Sequence, residues 1–411
     1  MGTGYHSAAK TVHHAENALL LCCARRQLEA EGIEQVRGLL GGQLDWTYLF
    51  AAARWHGLMP HLYWHLNACC PGAVPASRMA VLANCFRENA QRNLYLTLEL
   101  LGILERLQAN EVLAIPYKGP VLAFLAYGSL ALREFSDLDI LIPQRDITRA
   151  CKLVANLGYQ ARFEPAAAHA TSQDRIPGQY LFSRDEGNSV VELHSERTLR
   201  YFPRPLDLDR ISTRLEPVSV GGKEVHTLAT EDLLSLLCVH GAKHFWQRLG
   251  WISDIAELLR SHPGLNWGRT RELARELDCE RLLFLGLYLA RDLLGANLPE
   301  EILADQREER VLHSLAGRVY VRLFWNPATE PGVIERCAFR MRMRERLWDG
   351  LRYSLRMAVT PTEEDWALLP LPDRLNSLYY VIRPLRLLNK YGMSLGRRSV
   401  PKNHLGGPNI G

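Results

Sequence analysis

Asp137 and Asp139 flank a single leucine at the start of an apolar run, SDLDILIP, and that spacing decides where their side chains go. Residues two apart on a strand face the same way, so the two carboxylates converge while Leu138 and Ile140 turn toward a core. Such a pair can hold Mg²⁺ against phosphate oxygens, because this ion takes one or two carboxylates and completes its shell with substrate oxygens and water. By itself the D-x-D spacing is equally that of a polar strand end. Its surroundings argue for chemistry. Lys118-Gly119 stands at a strand-to-helix turn, where a close backbone approach, helix N-terminal amides and a cation together form a phosphate cradle. Arg133, four residues before Asp137, can reach the same anion. In SVVELH, Val190, Glu192 and His194 share one strand face, which supplies a third carboxylate. Three acids before a basic cradle are what two-metal phosphoryl or nucleotidyl transfer requires.

The elements that must position these residues are legible as a change of periodicity. Residues 15 to 110 carry apolar positions at helical spacing throughout, through LDWTYLFAAARWHGLMPHLYWHL to RMAVLANCFRENAQRNLYLTLELLGILERLQAN. From Val112 short apolar runs take over. VLAIP, LDILIP and YQARF read as strands, with a helix over 120 to 127 and another over 146 to 157 ended by Gly158. Two hairpins follow, GQYLFS-RDEGN-SVVELH and PVSV-GG-KEVHTL, and both are expected to add antiparallel members to a mixed sheet. Helices return from Thr230, with Thr230 and Asp232 as candidate caps, and the last fifteen or so residues read as a frayed tail. The fold class is therefore α+β.

Jointly these motifs resemble the DNA polymerase β-type nucleotidyltransferase superfamily. Within it they resemble a branch of uncharacterised bacterial nucleotidyltransferases with a pattern near L-K-G…Y…R…D-x-D-x-L-V, then E-L-H, then a helical H…H…W…D segment. The likeness spans about residues 40 to 390, from the LDWTYLFAAARWHGLMPHLYWHL stretch to RPLRLLNKYG. It implies a polymerase β-like core over 111–228, a helical region over 1–110, a helical region over 229–325 closing the active site, and a C-terminal helical region over 326–411 with a flexible tail. It further implies Asp137 and Asp139 as metal acids, Glu192 as the third catalytic carboxylate, and Lys118, Gly119 and Arg133 as phosphate contacts, with Mg²⁺ or Mn²⁺ as cofactor and an NTP, such as ATP, as substrate. The activity implied is transfer of NMP to a small-molecule or peptide acceptor with release of pyrophosphate. An RNA-end transferase and a non-catalytic nucleotide-binding protein are the alternatives.

The superfamily ends its first strand in Gly-Ser, and this chain holds Gly128-Ser129, but at the far end of a helix. Lys118-Gly119 closes the strand itself, as in the K-G-G version of abortive-infection nucleotidyltransferase toxins. Ser136 is read as fixing the loop before the metal acids and joins the nucleotide-binding set. His194 is read as holding its strand, and Ser195 stands where relatives carry an aromatic residue. In CVHGAKHFWQRLGWISDIAELL, His240, Lys243 or His244, and Gln247 fall together at helical spacing. The resemblance implies that this element closes over the nucleotide, with Lys243 and Asp254 corresponding loosely to a Lys and an Asp that the toxins place near theirs; the alternative is a helix-stabilising charge pair. The H-x-x-x-H of His240 and His244 lacks the Glu that follows the first His in zincins.

Composition excludes little else. The chain has 411 residues, and Lys plus Arg 49 against Asp plus Glu 45 leaves a formal charge of +4, which demands neither a nucleic acid nor a membrane. The nine cysteines include no C-x-x-C and fall mostly in apolar runs, as buried thiols of a reducing compartment do. With neither a membrane-length apolar run nor a basic-then-apolar leader, a cytoplasmic location is expected. Arg336, Arg340 and Arg344, with Arg342, Arg346, Arg352 and Arg356, step by about one helical turn and form either a solvated face or a polyanion surface. Trp46, Trp55, Trp64 and Trp251 are read as packing residues.

Overall fold

Residues 14–161, 179–195, 206–308, 310–324, 333–345, 347–359, 361, 365, 368–369 and 371–395 are described in the computed structural model. The expected C-terminal tail after residue 395, the end of the YQARF run and Arg346 lie outside them.

Helices open the chain: α1 (His14–Cys23), α2 (Ala30–Leu40), α3 (Trp46–His56), α4 (Met59–Cys69) and the 33-residue α5 (Ala76–Gln108). The bounds of α3 are chemical. The Asp45 carboxylate accepts from the backbone N–H groups of Thr47 and Tyr48, and Gly57 ends the helix in a left-handed conformation. A five-stranded sheet follows in the order β1-β2-β5-β4-β3, built from β1 (Ile115–Pro116), β2 (Asp137–Leu141), β3 (Gln160–Ala161), β4 (Gln179–Arg184) and β5 (Ser189–His194). β2 and β5 run parallel; the other neighbours are antiparallel. Between and after these strands come α6 (Gly119–Leu122), α7 (Ile147–Asn156), α8 (Leu208–Ser212), α9 (Thr230–Lys243), α10 (Leu249–Ser261), α11 (Trp267–Glu276) and α12 (Glu280–Leu294). With helices before and after a mixed sheet, the chain is α+β.

The second expected hairpin does form, as β6 (Glu216–Val220) and β7 (Lys223–Thr227), turning through Gly221 and Gly222 with φ of +58° and +82°. It makes a separate two-stranded sheet instead of extending the first. The cap expectation is also corrected. Helix α9 (Thr230–Lys243) has no side-chain cap: the Thr230 hydroxyl donates to Glu216, and Asp232 forms a two-pronged pair with Arg214.

Alternation along β2 assigns its faces to two different cores. Leu138 and Ile140 join a cluster with α5, α7 (Ile147–Asn156) and Val191 and Leu193 of β5. Leu141, on the face that carries Asp137 and Asp139, joins the larger helical core with α9, α10 (Leu249–Ser261) and α12 (Glu280–Leu294). The acids therefore look toward the returning helices. Between α9 and α10 the chain turns sharply, with Phe245 and Trp246 both at positive φ, and buries Trp246 completely. Gly241 permits this, since a Cβ there would stand 2.3 Å from the Trp246 ring.

Two readings of exposed or packed side chains change. Arg344 is buried, so the basic series is not one solvated stripe, and Trp64, expected in packing, is exposed. No helix of the described residues is long and apolar enough to cross a membrane.

Candidate active site

Parallel pairing of β2 with β5 sets Asp139 beside Glu192 and Leu141 beside His194. Residues paired this way project from the same side of the sheet, so Asp137, Asp139, Glu192 and His194 line one cavity of about 460 Å³. The opposite wall comes from the C-terminal part of α9, the turn after it and the start of α10: His240, Lys243, His244, Gln247, Arg248 and Trp251. Trp55 of α3 completes the rim, its indole N–H donating to the Gln247 carbonyl at 3.1 Å.

At the floor, Asp139 Oδ1 takes three partners. Lys118 Nζ lies at 3.0 Å, His194 Nε2 at 2.9 Å and the Tyr117 hydroxyl at 3.5 Å. His194 Nε2 is also 3.4 Å from Glu192 Oε2, which in turn accepts from Gln179 Nε2 at 2.6 Å. The Lys118-Gly119 turn stands over the start of β2: Gly119 has φ +55°, and a Cβ there would lie 3.3 Å from the Asp137 carbonyl oxygen. Glycine is the residue that fits both the conformation and the approach.

Charge is unevenly distributed among the acids. Burial opposes ionisation of Asp139, but Lys118 and His194 outweigh it and hold this carboxyl below the usual carboxylate range. Asp137 and Glu192 go the other way: burial, then the charge of Asp139, raises both. Such a cluster has one carboxylate satisfied by the protein and two that gain from a further cation. Among the described residues the group able to close on a metal ion is Asp139, Glu192 and His194, with one donor atom of each within 4.8 Å of the others. Oxygen and imidazole donors at this spacing fit a divalent cation.

The remaining residues singled out in the sequence are placed as follows. Arg133 and Ser136 line the cavity beside Asp137. Arg133 grips Asp254 with Nε and Nη2 at 2.9 and 3.0 Å, and its Nη1 has no hydrogen-bond partner among the described residues. Lys243 lines the cavity, whereas Asp254 lies behind it, buried, and also accepts from the Tyr127 hydroxyl at 2.9 Å. Ser129 is not part of the lining; its hydroxyl accepts from the Ala131 N–H. Trp55 and Trp251, read as packing, form walls, and Arg248 lies over both rings at 5.9 and 5.8 Å.

Sequence reasoning missed Gln179, Glu134 and Arg248. The hairpin register could have found Gln179, because the short turn fixes it opposite His194. Nothing local marks the other two. Glu134 is brought in by its packing against Met59, whose N–H it accepts; burial raises its carboxyl against the pull of Arg92, Arg248 and Arg54. His240 meets the Trp251 ring edge-on and His244 meets it at a tilt, and burial depresses both, His244 to about 3, so the cationic groups of this wall are lysine and arginine.

Residues 42–295, well over half of the chain, match the model of an uncharacterised nucleotidyltransferase family, and the chain belongs to that family. The matched span contains every residue of the cavity just described. No curated protein sequence matches the chain.

Proposed function

We propose that this nucleotidyltransferase moves NMP from an NTP to a hydroxyl or similar nucleophile on a small molecule or peptide, releasing pyrophosphate, on a polymerase β-like core. The observation that carries the reading is the apposition of Asp139 and Glu192 across β2 and β5, facing Lys118 and Arg133 in one cavity. A divalent cation, Mg²⁺ or Mn²⁺, held by Asp137, Asp139 and Glu192, would supply charge to the reacting phosphate and acidify the acceptor hydroxyl.

The chain's own residues do the positioning. Lys118 neutralises Asp139 in the free protein. Once another cation takes that carboxylate, its ammonium is available to the triphosphate. Gly119 lets backbone amides approach the phosphates without a side chain between. Arg133 offers the phosphates its unpartnered Nη1 while Asp254 fixes its plane, so Asp254 acts through Arg133. Ser136 stands at the loop mouth beside Asp137, and Lys243 faces the acids from α9 as a second cation for the leaving pyrophosphate. The half-buried rings of Trp55 and Trp251 give a planar group, base or acceptor, a surface to stack on. Stabilising charge at the transferred phosphate in a site partly closed to water is a source of several kcal/mol of barrier lowering, typically about 3 for one well-placed donor. The free, mostly buried thiols suit a cytoplasmic location.

Label transfer tests the reading. The protein, with Mg²⁺ or Mn²⁺ and each NTP labelled in parallel at the α and γ phosphates, is mixed with fractionated small molecules, peptides and RNA beside the Asp137→Ala/Asp139→Ala protein. Movement of α label only, with intact acids only, is expected, and the fraction that takes it names the acceptor class. Movement of γ label would make the chain a kinase instead.

A further inference from the structure

We propose that His194 is itself a ligand of the divalent cation, and that its imidazole turns the site from Mg²⁺ toward first-row transition ions. The inference rests on the metal-dependent reading above and adds a ligand and a selectivity to it. Three observations carry it. His194 is buried and its Nε2 stands 2.9 Å from Asp139 Oδ1 and 3.4 Å from Glu192 Oε2. Donors at about 2.1 Å from a six-coordinate ion stand about 3 Å from one another, so Nε2 already stands near the separation of neighbouring ligands from each of the two carboxylate oxygens, and one donor atom of each residue lies within 4.8 Å of the others. The ring is also held in place: it meets the Tyr117 ring edge-on at 6.0 Å and 72°. Finally, Nε2 donates to Asp139 in the metal-free protein while Nδ1 has no hydrogen-bond partner among the described residues, so a cation that takes Nε2 in place of its proton breaks no bond at Nδ1.

The alternative role, a hydrogen bond that merely steadies Asp139, is already filled by Lys118 at 3.0 Å on the same oxygen. An all-oxygen set suits Mg²⁺, which accepts nitrogen poorly; adding imidazole favours Mn²⁺ through Zn²⁺. Mn²⁺ is the weakest binder of that series and therefore the most stringent probe.

The test is pulsed electron paramagnetic resonance of Mn²⁺ bound to the full chain, with and without a non-hydrolysable NTP. Nitrogen modulation of directly bound imidazole is expected, changing when the histidines carry ¹⁵N, lost in His194→Gln and retained in the His240→Gln/His244→Gln protein. The last variant assigns the ligand by elimination even where His194→Gln does not fold. Competition binding should show Mn²⁺ preferred over Mg²⁺, with that preference falling at least tenfold in His194→Gln. Mn²⁺ bound tightly with only oxygen ligands would overturn the role of His194 and leave the metal-dependent reading standing. No Mn²⁺ binding in either condition would remove both.

Discussion

The Arg133 guanidinium closes on both carboxylate oxygens of Asp254, 121 residues away in the chain. Both side chains are almost wholly enclosed. The pair ties the loop that precedes the acid strand to α10, so the cavity-lining arginine and the helical wall opposite are held as one unit. Tyr127 and Ser253 complete the enclosure through hydrogen bonds at 2.9 and 3.1 Å.

Asp254→Ala should therefore be costly far from any ligand. It strands a buried guanidinium, an effect of about 3 to 5 kcal/mol, whereas replacing both partners with apolar residues of similar volume should recover much of the loss. Thermal unfolding of Asp254→Ala and of Arg133→Met/Asp254→Leu checks this. Equal melting of the wild type and the single variant would contradict the pairing.

Asp137 should trade stability for function. Burial and the neighbouring Asp139 charge raise its carboxyl, which means that its ionised form strains the metal-free protein at neutral pH. Asp137→Asn is expected to raise metal-free stability by about 1 kcal/mol while abolishing transfer. Calorimetry without metal, paired with label transfer, reads both. A variant less stable than wild type would count against the repulsion.

Acid should loosen the fold before it affects ordinary carboxylates. Burial depresses His56 to about 4, and His61 and His244 each to about 3. In the unfolded chain each takes a proton near pH 6.5, so below that pH the unfolded state binds more protons and stability falls as pH falls. The slope is up to about 1.4 kcal/mol per pH unit for each histidine, and stability should level off above about pH 7. Melting temperature across pH 4 to 8 measures it, and His61→Phe should flatten the acid limb. A flat profile between pH 4 and 7 would contradict the burial.

Gly241→Ala should disturb the cavity from behind. The new methyl would meet the Trp246 ring, which is enclosed on all sides, and overpacking of this kind typically costs about 1 to 3 kcal/mol. Displacing Trp246 also moves His244, Gln247 and Arg248, so nucleotide binding should weaken together with stability. Tryptophan fluorescence and nucleotide titration on the same sample check both, and unchanged emission with unchanged affinity would show that the ring has room.

Much of the site was legible because strand alternation is a strict rule. Asp137, Asp139, Glu192 and His194 could each be given a face from their spacing, and the Lys118-Gly119 turn from its place between strand and helix. Helical spacing likewise grouped His240, Lys243, His244 and Gln247. Propensity could not say which strands are neighbours, so the second hairpin was assigned to the wrong sheet. Nor could it distinguish a tryptophan that packs from one that lines a cavity, since Trp55 and Trp251 sit on apolar helical faces either way.

By itself, the sequence determined the α+β class, the nucleotidyltransferase family and the strand faces on which the acids lie. The class and the faces follow from periodicity and residue type, which are local properties, and the family from the resemblance of the motifs taken together. Only the tertiary structure decided that Asp139 meets Glu192 and His194, that Asp254 serves Arg133 from behind the cavity, and that Glu134 and Arg248 belong to its lining. Those relations join residues far apart in the chain, and they exist only once β5 docks parallel to β2 and α10 closes on the loop before it.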